Sequence, residues 1–228
     1  MVRISKSKFM AGYQCPRRLW QEIHCPERAE EYGPGTAFTF FQGHEVGELA
    51  RQWRGAGVLI ELDRRDVHKA VQETREALEA GASRIYEAAF EHEGFLALAD
   101  VIERKSDGSW RLIEVKATTR AKDVHVPDLA FQAWLMEKNG LRVSETAVIH
   151  LDNQAVWPND DLLKLTDNSA EVLSAVGSTS ALATELKHVA VGEAEPDVEP
   201  GRHCSTPYPC PFKKHCCCLL YTSDAADE

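Results

Sequence analysis

No run of eighteen apolar residues occurs in this chain, so no segment is expected to cross a membrane. Its first residues, MVRISKSKFMAGYQC, are basic but lack a continuous apolar stretch and a small-residue cleavage site, so no secretory signal is expected there. Internal repeats and low-complexity tracts are missing. With 43% hydrophobic and 27% charged residues, the 228-residue chain falls outside the disordered and collagen-like classes. Basic excess is missing too. The 26 Lys+Arg against 36 Asp+Glu leave a net charge of −10, which argues against nucleic-acid binding through overall charge. Cysteine, by contrast, is plentiful, with seven residues. The expected compartment is the cytoplasm, where thiols stay reduced and read as metal ligands or reactive groups rather than disulfides.

Charge is unevenly placed. Residues 1–28 carry Arg3, Lys6, Lys8, Arg17, Arg18 and Arg28 against Glu22 and Glu27, a surplus of four positive charges. Residues 152–200 carry ten acids against Lys164 and Lys187. A basic N-terminal segment on an acidic protein is compatible with local phosphate contact, and equally with a solvated charged face.

Periodicity predicts a helix from Ser5 or Ser7, a second one starting at Pro16, and a Gly/Pro loop over residues 32–36. A helix is expected over Phe41–Trp53, a short strand over Gly57–Leu62 and an amphipathic helix over Asp66–Ala80 closed by Gly81. Three strands follow, Arg84–Glu91, Phe95–Arg104 and Ser109–Ala117, the last two joined at Ser106-Asp107-Gly108. Then come a helix over Pro127–Lys138, a strand over Thr146–Leu151 and a helix over Asn168–Lys187. An acidic, Pro-containing linker over Gly192–Gly201 leads into the cysteine-rich end. The order predicts an α/β fold with a mixed central sheet flanked by helices.

Chemistry concentrates in Leu112-Ile-Glu-Val-Lys-Ala117. Alternation along a strand puts Glu114 and Lys116 on one face, a costly arrangement if that face is buried and common at an exposed edge. Asp100 interrupts the apolar run of the preceding strand in the same way. A two-residue loop at 107–108 would set Asp100 opposite Val115. A three-residue loop at 106–108, with Gly108 left-handed, would set it opposite Glu114. Only the second register brings two carboxylates and a lysine together, a donor set suited to Mg²⁺.

Asp100, then Glu114-x-Lys116, after His44 in Gln-Gly-His-Glu-Val-Gly, resembles the RecB-like branch of the PD-(D/E)XK nuclease superfamily. Asp128-Leu-Ala-Phe-Gln-Ala-Trp-Leu-Met136 is similar to that branch's Gln-x-x-x-Tyr motif, with Gln132 matching and Met136 in place of the tyrosine. The resemblance implies a restriction-endonuclease-like core that hydrolyses DNA, single-stranded or with a free end. His44, Asp100 and Glu114 would hold Mg²⁺ or Mn²⁺, Lys116 would position water, and Gln132 would orient substrate or a ligand. Glu87, Lys122, Arg17 and Arg18 are supporting candidates; an edge-strand acid is an equal alternative for Glu87, and solvated positions are the simpler alternative for Lys122 and the arginines.

Cys204, Cys210 and Cys216 lie at even spacing among prolines, and Cys15 sits far upstream. Four thiolates suit Zn²⁺ or a [4Fe–4S] cluster. The resemblance favours the cluster, since iron–sulfur nucleases of this superfamily, the CRISPR-associated exonucleases among them, place one cysteine before the core and three after it. Cys25 and Cys217 are then left over. The domains expected are a helical segment over 1–40, a nuclease core over 41–190, a linker with three cysteines over 191–217, and residues 218–228. That last stretch resembles a translated sequencing adapter. The native chain would then continue past residue 217, and an appended domain or helicase partner would be missing.

Overall fold

The computed structural model describes residues 2–31, 34–61, 66–156 and 161–217, with residues 34–40 described by backbone only. Residues 218–228, expected to be non-native, lie outside this set, as do Leu62 and residues 32–33 of the expected loop. The described chain divides into two compact units, one drawn from Met1–Ala37 and Ala181–Glu228, the other from Phe38–Ser180.

In the first unit a two-residue strand, β1 (Ile4–Ser5), leads into α1 (Lys6–Gln14), and α2 (Pro16–His24) follows. Ser5 caps α1, accepting the Lys8 backbone N–H at 3.4 Å. Cys15 is extended between the helices, and Pro16 begins α2, where a missing N–H costs nothing.

The second unit is a mixed sheet with helices on both faces. Its helices are α3 (Pro34–Arg54), whose first residues fall in the first unit, α4 (Val67–Glu79), α5 (His125–Lys138) and the front of α6 (Ser169–Val191). Its strands are β2 (Val58–Leu59), β3 (Arg84–His92), β4 (Phe95–Arg104), β5 (Trp110–Lys116), β6 (Val143–Leu151) and β7 (Leu163–Asp167), hydrogen-bonded in that order. β2 and β3 run parallel, as do β5 and β6, and the remaining neighbours are antiparallel.

The structure differs from expectation at three elements. The Gly/Pro segment does not stay a loop through Thr36, because α3 begins at Pro34, whose fixed φ suits a first helical turn. Strand β7 was not expected, although Leu163-Lys-Leu-Thr166 alternates apolar and polar residues over four positions. α5 also starts two residues earlier than Pro127, which sits in its first turn, where proline is tolerated.

On one face Val46 and Ala50 of α3 pack on Tyr86, Val101, Ile113, Ala147 and Ile149. The alternate residues of β5, Leu112 and Glu114, therefore face α5. That helix is anchored by Phe131 and Trp134, whose rings meet Phe95 at centroid distances of 6.1 and 5.5 Å.

The β4–β5 hairpin sets the register of the site. The Lys105 N–H donates to Ser109 O at 2.8 Å, closing the hairpin, and the Gly108 N–H donates back to Lys105 O at 3.0 Å, with Gly108 at a φ of +79°. The loop is therefore residues 106–108, the second of the two alternatives, and Val101 pairs with Ile113. Nothing lies within 4 Å of a Cβ built on Gly108, so alanine there meets only backbone strain. Gly108→Ala should lower stability by about 1–2 kcal/mol in urea unfolding, the cost of an L-residue in the left-handed region. No measurable loss would mean that the loop takes another turn type in solution.

Candidate active site

Past the Val101–Ile113 pair, β4 and β5 stop pairing. The Val115 N–H is taken instead by the Asp100 carboxylate, Oδ2 at 2.7 Å. On the other side of β4 the ladder to β3 skips one position, between Tyr86–Val101 and Ala88–Ala99. The β3 residue facing Asp100 is Glu87, which has a φ of +56°. A left-handed glutamate in mid-strand is strained, and such outliers gather at functional sites. Glu87 also meets Arg51 of α3 at 3.4 Å.

Glu114 is only 1% exposed. It lies on an interior strand, between β4 and β6, so the exposed-edge alternative for Glu114-x-Lys116 is overturned. Lys116 Nζ donates to Glu114 Oε1 at 2.5 Å and to Asp128 Oδ2 at 3.0 Å. Gln132 Nε2 donates to Glu114 Oε2 at 2.6 Å and to Asp128 Oδ1 at 3.0 Å. Two carboxylates are thus bridged twice, by an ammonium and by an amide, in a closed ring.

The Gln132 amide has one workable orientation. Reversed, its oxygen would face two carboxylate oxygens, acceptor against acceptor. As placed, Gln132 Oε1 is buried with no partner among the described residues. Such an atom is open to a water or a substrate donor. Met136 is fully buried, so at the motif's tyrosine position this chain offers packing and no hydroxyl.

Burial works against the charge on Lys116, but Glu114, Asp128 and Asp100 outweigh it and push its pKa up. With those three carboxylates charged, the cluster carries three negative charges against one positive. The donor set fits a hard divalent cation in type and in net charge. Among the described residues, however, no group of three or more His, Cys, Asp or Glu side chains is disposed to hold a metal ion. The carboxylates are gathered on the ammonium.

His44 lies on an exposed stretch of α3, one turn before Glu48. No described hydrogen bond or ion pair joins it to Asp100 or Glu114. Lys122 is exposed on the loop before α5, and its backbone N–H donates to His125 Nδ1 at 3.2 Å. Sequence reasoning missed Asp128 as a site residue. The available signal was its place four residues before Gln132, hence on the same helix face. It missed His150 as well. Register sets His150 beside Lys116, and it is buried with its ring between Leu151 O at 2.9 Å and Thr166 Oγ1 at 2.8 Å.

In the other unit, Cys15, Cys204, Cys210 and Cys216 line one small cavity with Arg17, Arg18, Gln21 and His203. All four are free thiols. Burial pushes Cys210 and Cys216 up, and neighbouring cysteines add to it. Arg17 is engaged within the unit, donating to Glu195 at 2.6 Å and to Val198 O at 3.3 Å. Arg18 bonds Glu22 at 2.9 Å and Gln14 at 2.8 Å. Both arginines thus serve to close this unit.

No family model matches the chain, and no curated protein matches it. Among solved structures it is similar to LHK-Exo in complex with dAMP, at 14% identity over 82% of this chain and 89% of that one, with a TM-score of 0.42. A second structure, the alkaline exonuclease LHK-Exo from Laribacter hongkongensis, gives 15% identity over 65% and 80% with a TM-score of 0.33. SSO0001 gives 15% over 86% and 87%, with a TM-score of 0.29. At this level of likeness, function has to be argued from the site itself. Among the described residues no helix is long and apolar enough to cross a membrane.

His125 allows a test of the site's electrostatics. Burial lowers its pKa, Lys116 lowers it further, and Asp128 and Glu114 oppose this only in part. The folded chain therefore holds it neutral where the unfolded chain takes up a proton, from about pH 6.5 downward. Stability from this residue is present above that pH and is lost on acidification. His125→Asn, which keeps an acceptor for the Lys122 N–H, should flatten the fall in Tm between about pH 6.5 and 5 relative to the parent. Parallel profiles would show that His125 is protonated in the folded state.

Proposed function

We propose that the chain is a metal-dependent nuclease that hydrolyses DNA, acting as an exonuclease on single-stranded or free-ended substrate. One observation carries this reading. A glutamate almost wholly out of water on an interior strand shares a lysine ammonium with a second carboxylate, where β4 and β5 part at Asp100. Structural ion pairs have no need of parted strands, a left-handed glutamate facing the parting, and an unpartnered amide oxygen beside the buried carboxylate.

Asp100 and Glu114 would hold Mg²⁺ or Mn²⁺, and His44 joins them on the strength of its place in the motif. The cation supplies a lowered water pKa and neutralises charge on the phosphate. Lys116 has three hydrogens and uses two on Glu114 and Asp128, which leaves one for a water or a phosphate oxygen. Gln132 fixes both carboxylates, and its free amide oxygen accepts from a water or a substrate donor. The reaction then needs no covalent nucleophile, because charge stabilisation and an oriented water suffice.

The test is cleavage of end-labelled DNA by the full chain with and without Mg²⁺ or Mn²⁺. The parent should cleave only with metal, and Glu114→Gln and Lys116→Ala should each lose at least about a hundredfold in rate. Glu114→Gln should fold, because it removes buried charge and keeps a hydrogen-bonding oxygen, whereas Lys116→Ala should melt lower than the parent because it leaves Glu114 and Asp128 uncompensated, so its rate is read well below its melting temperature. Parent-like cleavage by both variants would exclude this site as the catalytic centre.

We further propose that Cys15, Cys204, Cys210 and Cys216 hold a [4Fe–4S] cluster. Their convergence on one cavity across nearly the whole sequence supports this, as does the Gly201 N–H donated to Cys204 Sγ at 3.5 Å. Anaerobically purified protein should contain about four irons per chain and show visible thiolate-to-iron absorption, and Cys→Ser at any of the four should cost stability as well as metal. Stoichiometric zinc in colourless protein would replace the cluster with a structural zinc site.

A further inference from the structure

We propose that Asp128 is a positioning residue that takes over the Lys116 ammonium when a divalent cation binds at Glu114. The inference rests on the nuclease reading above and deepens it. Both Glu114 oxygens are already engaged, Oε1 by Lys116 at 2.5 Å and Oε2 by Gln132 at 2.6 Å. A cation arriving at Glu114 meets the ammonium, a like charge, at its ligand atom. Each Glu114 oxygen keeps a second lone pair, but a cation seated there lies against the ammonium and binds more tightly once the ammonium yields.

The surroundings decide where the ammonium goes. The Lys116 side chain is 28% exposed, and its stem rises from an interior strand between Glu114 and α5. Leaving Glu114 for water would strand an ammonium beside the incoming cation. Asp128 offers an anionic seat already in contact, Oδ2 at 3.0 Å from Nζ. Asp128 in turn cannot drift toward Glu114's new partner, because Gln132 Nε2 holds its other oxygen at 3.0 Å. Gln132 donates to both carboxylates from one nitrogen, so the two ends between which the ammonium moves are fixed. No proton is transferred and no bond is made or broken. The Lys116 hydrogen on Glu114 Oε1 is released and the bond to Asp128 remains.

Asp128 has a second conceivable part, as a direct ligand or a bare negative charge near the cation, and either would also favour metal binding. A double-mutant cycle separates the two. Mn²⁺ alone is titrated calorimetrically into the full chain, stripped of divalent cations with its cysteine site still loaded, for the parent, Asp128→Asn, Lys116→Ala and the double variant, with thermal melts as a fold check. Asp128→Asn should weaken Mn²⁺ binding about tenfold in the parent and about threefold or less in the Lys116→Ala background, since its effect runs through Lys116. Asp128→Glu, which keeps the seat charged, should recover most of the loss and stands in if the asparagine variant melts early. Equal losses in both backgrounds, or no loss in either, would overturn the inference while leaving the nuclease reading intact. A parent chain that binds no Mn²⁺ overturns both.

Discussion

An ionised carboxylate on the middle strand of a sheet needs a cation within reach, and Glu114 finds it two residues along its own strand, in Lys116. Everything else at the site follows from keeping that ammonium in place. The hairpin at 106–108 decides which β4 residue lies beside the pair, and its register brings up Asp100. The aromatic contacts of Phe131 and Trp134 seat α5 so that Asp128 and Gln132 come down onto the same two side chains. Losing the lysine would leave buried negative charge facing buried negative charge. Losing either partner carboxylate would leave the ammonium under-paired in a partly desolvated cleft. The site is over-determined by charge, and its polar atoms are nearly all engaged.

The parts legible in the sequence were those governed by short-range rules. Period-two alternation placed Glu114 and Lys116 together, and Ser106-Asp107-Gly108 marked the turn. The sequence left two registers open, because a two-residue and a three-residue loop use the same glycine. The choice falls to the three-residue loop, in which Gly108 alone adopts positive φ, with Ser109 tied to Asp107 at 3.0 Å. Pro34 read as part of a loop because glycine flanks it on both sides, yet proline is equally at home in a first helical turn. β7 escaped notice because four alternating residues are a weak signal, and its place depends on antiparallel pairing with β6. Asp128 escaped for a different reason. Its role exists only once α5 lies over β5, a tertiary fact that no local pattern encodes.

The cysteine unit follows a similar logic in a different chemistry. Cys15 is held extended between two helices by a following proline, and three later cysteines come to the same cavity through a segment pinned by Gln14 to His203 O at 2.6 Å and to Tyr208 O at 2.8 Å. Arg17 and Arg18, which the sequence marked for phosphate contact, spend their guanidiniums on Glu195, Glu22 and Gln14. These two arginines therefore contribute to the closure of this unit. The chain's acidic balance makes the same point, since local geometry at the carboxylate cluster, and not overall charge, is what recommends it for phosphodiester chemistry.

Whether Asp100 and the Lys116-bonded Glu114 together form a divalent-cation site separates a nuclease centre from a structural ion pair. The most direct measurement is an anomalous-scattering map from crystals of the full chain soaked in Mn²⁺. A nuclease centre gives one strong peak shared by the Asp100 and Glu114 carboxylates, with the Lys116 ammonium on Asp128. No peak at Asp100 and Glu114 at saturating Mn²⁺, with Lys116 still bonded to Glu114, would contradict it.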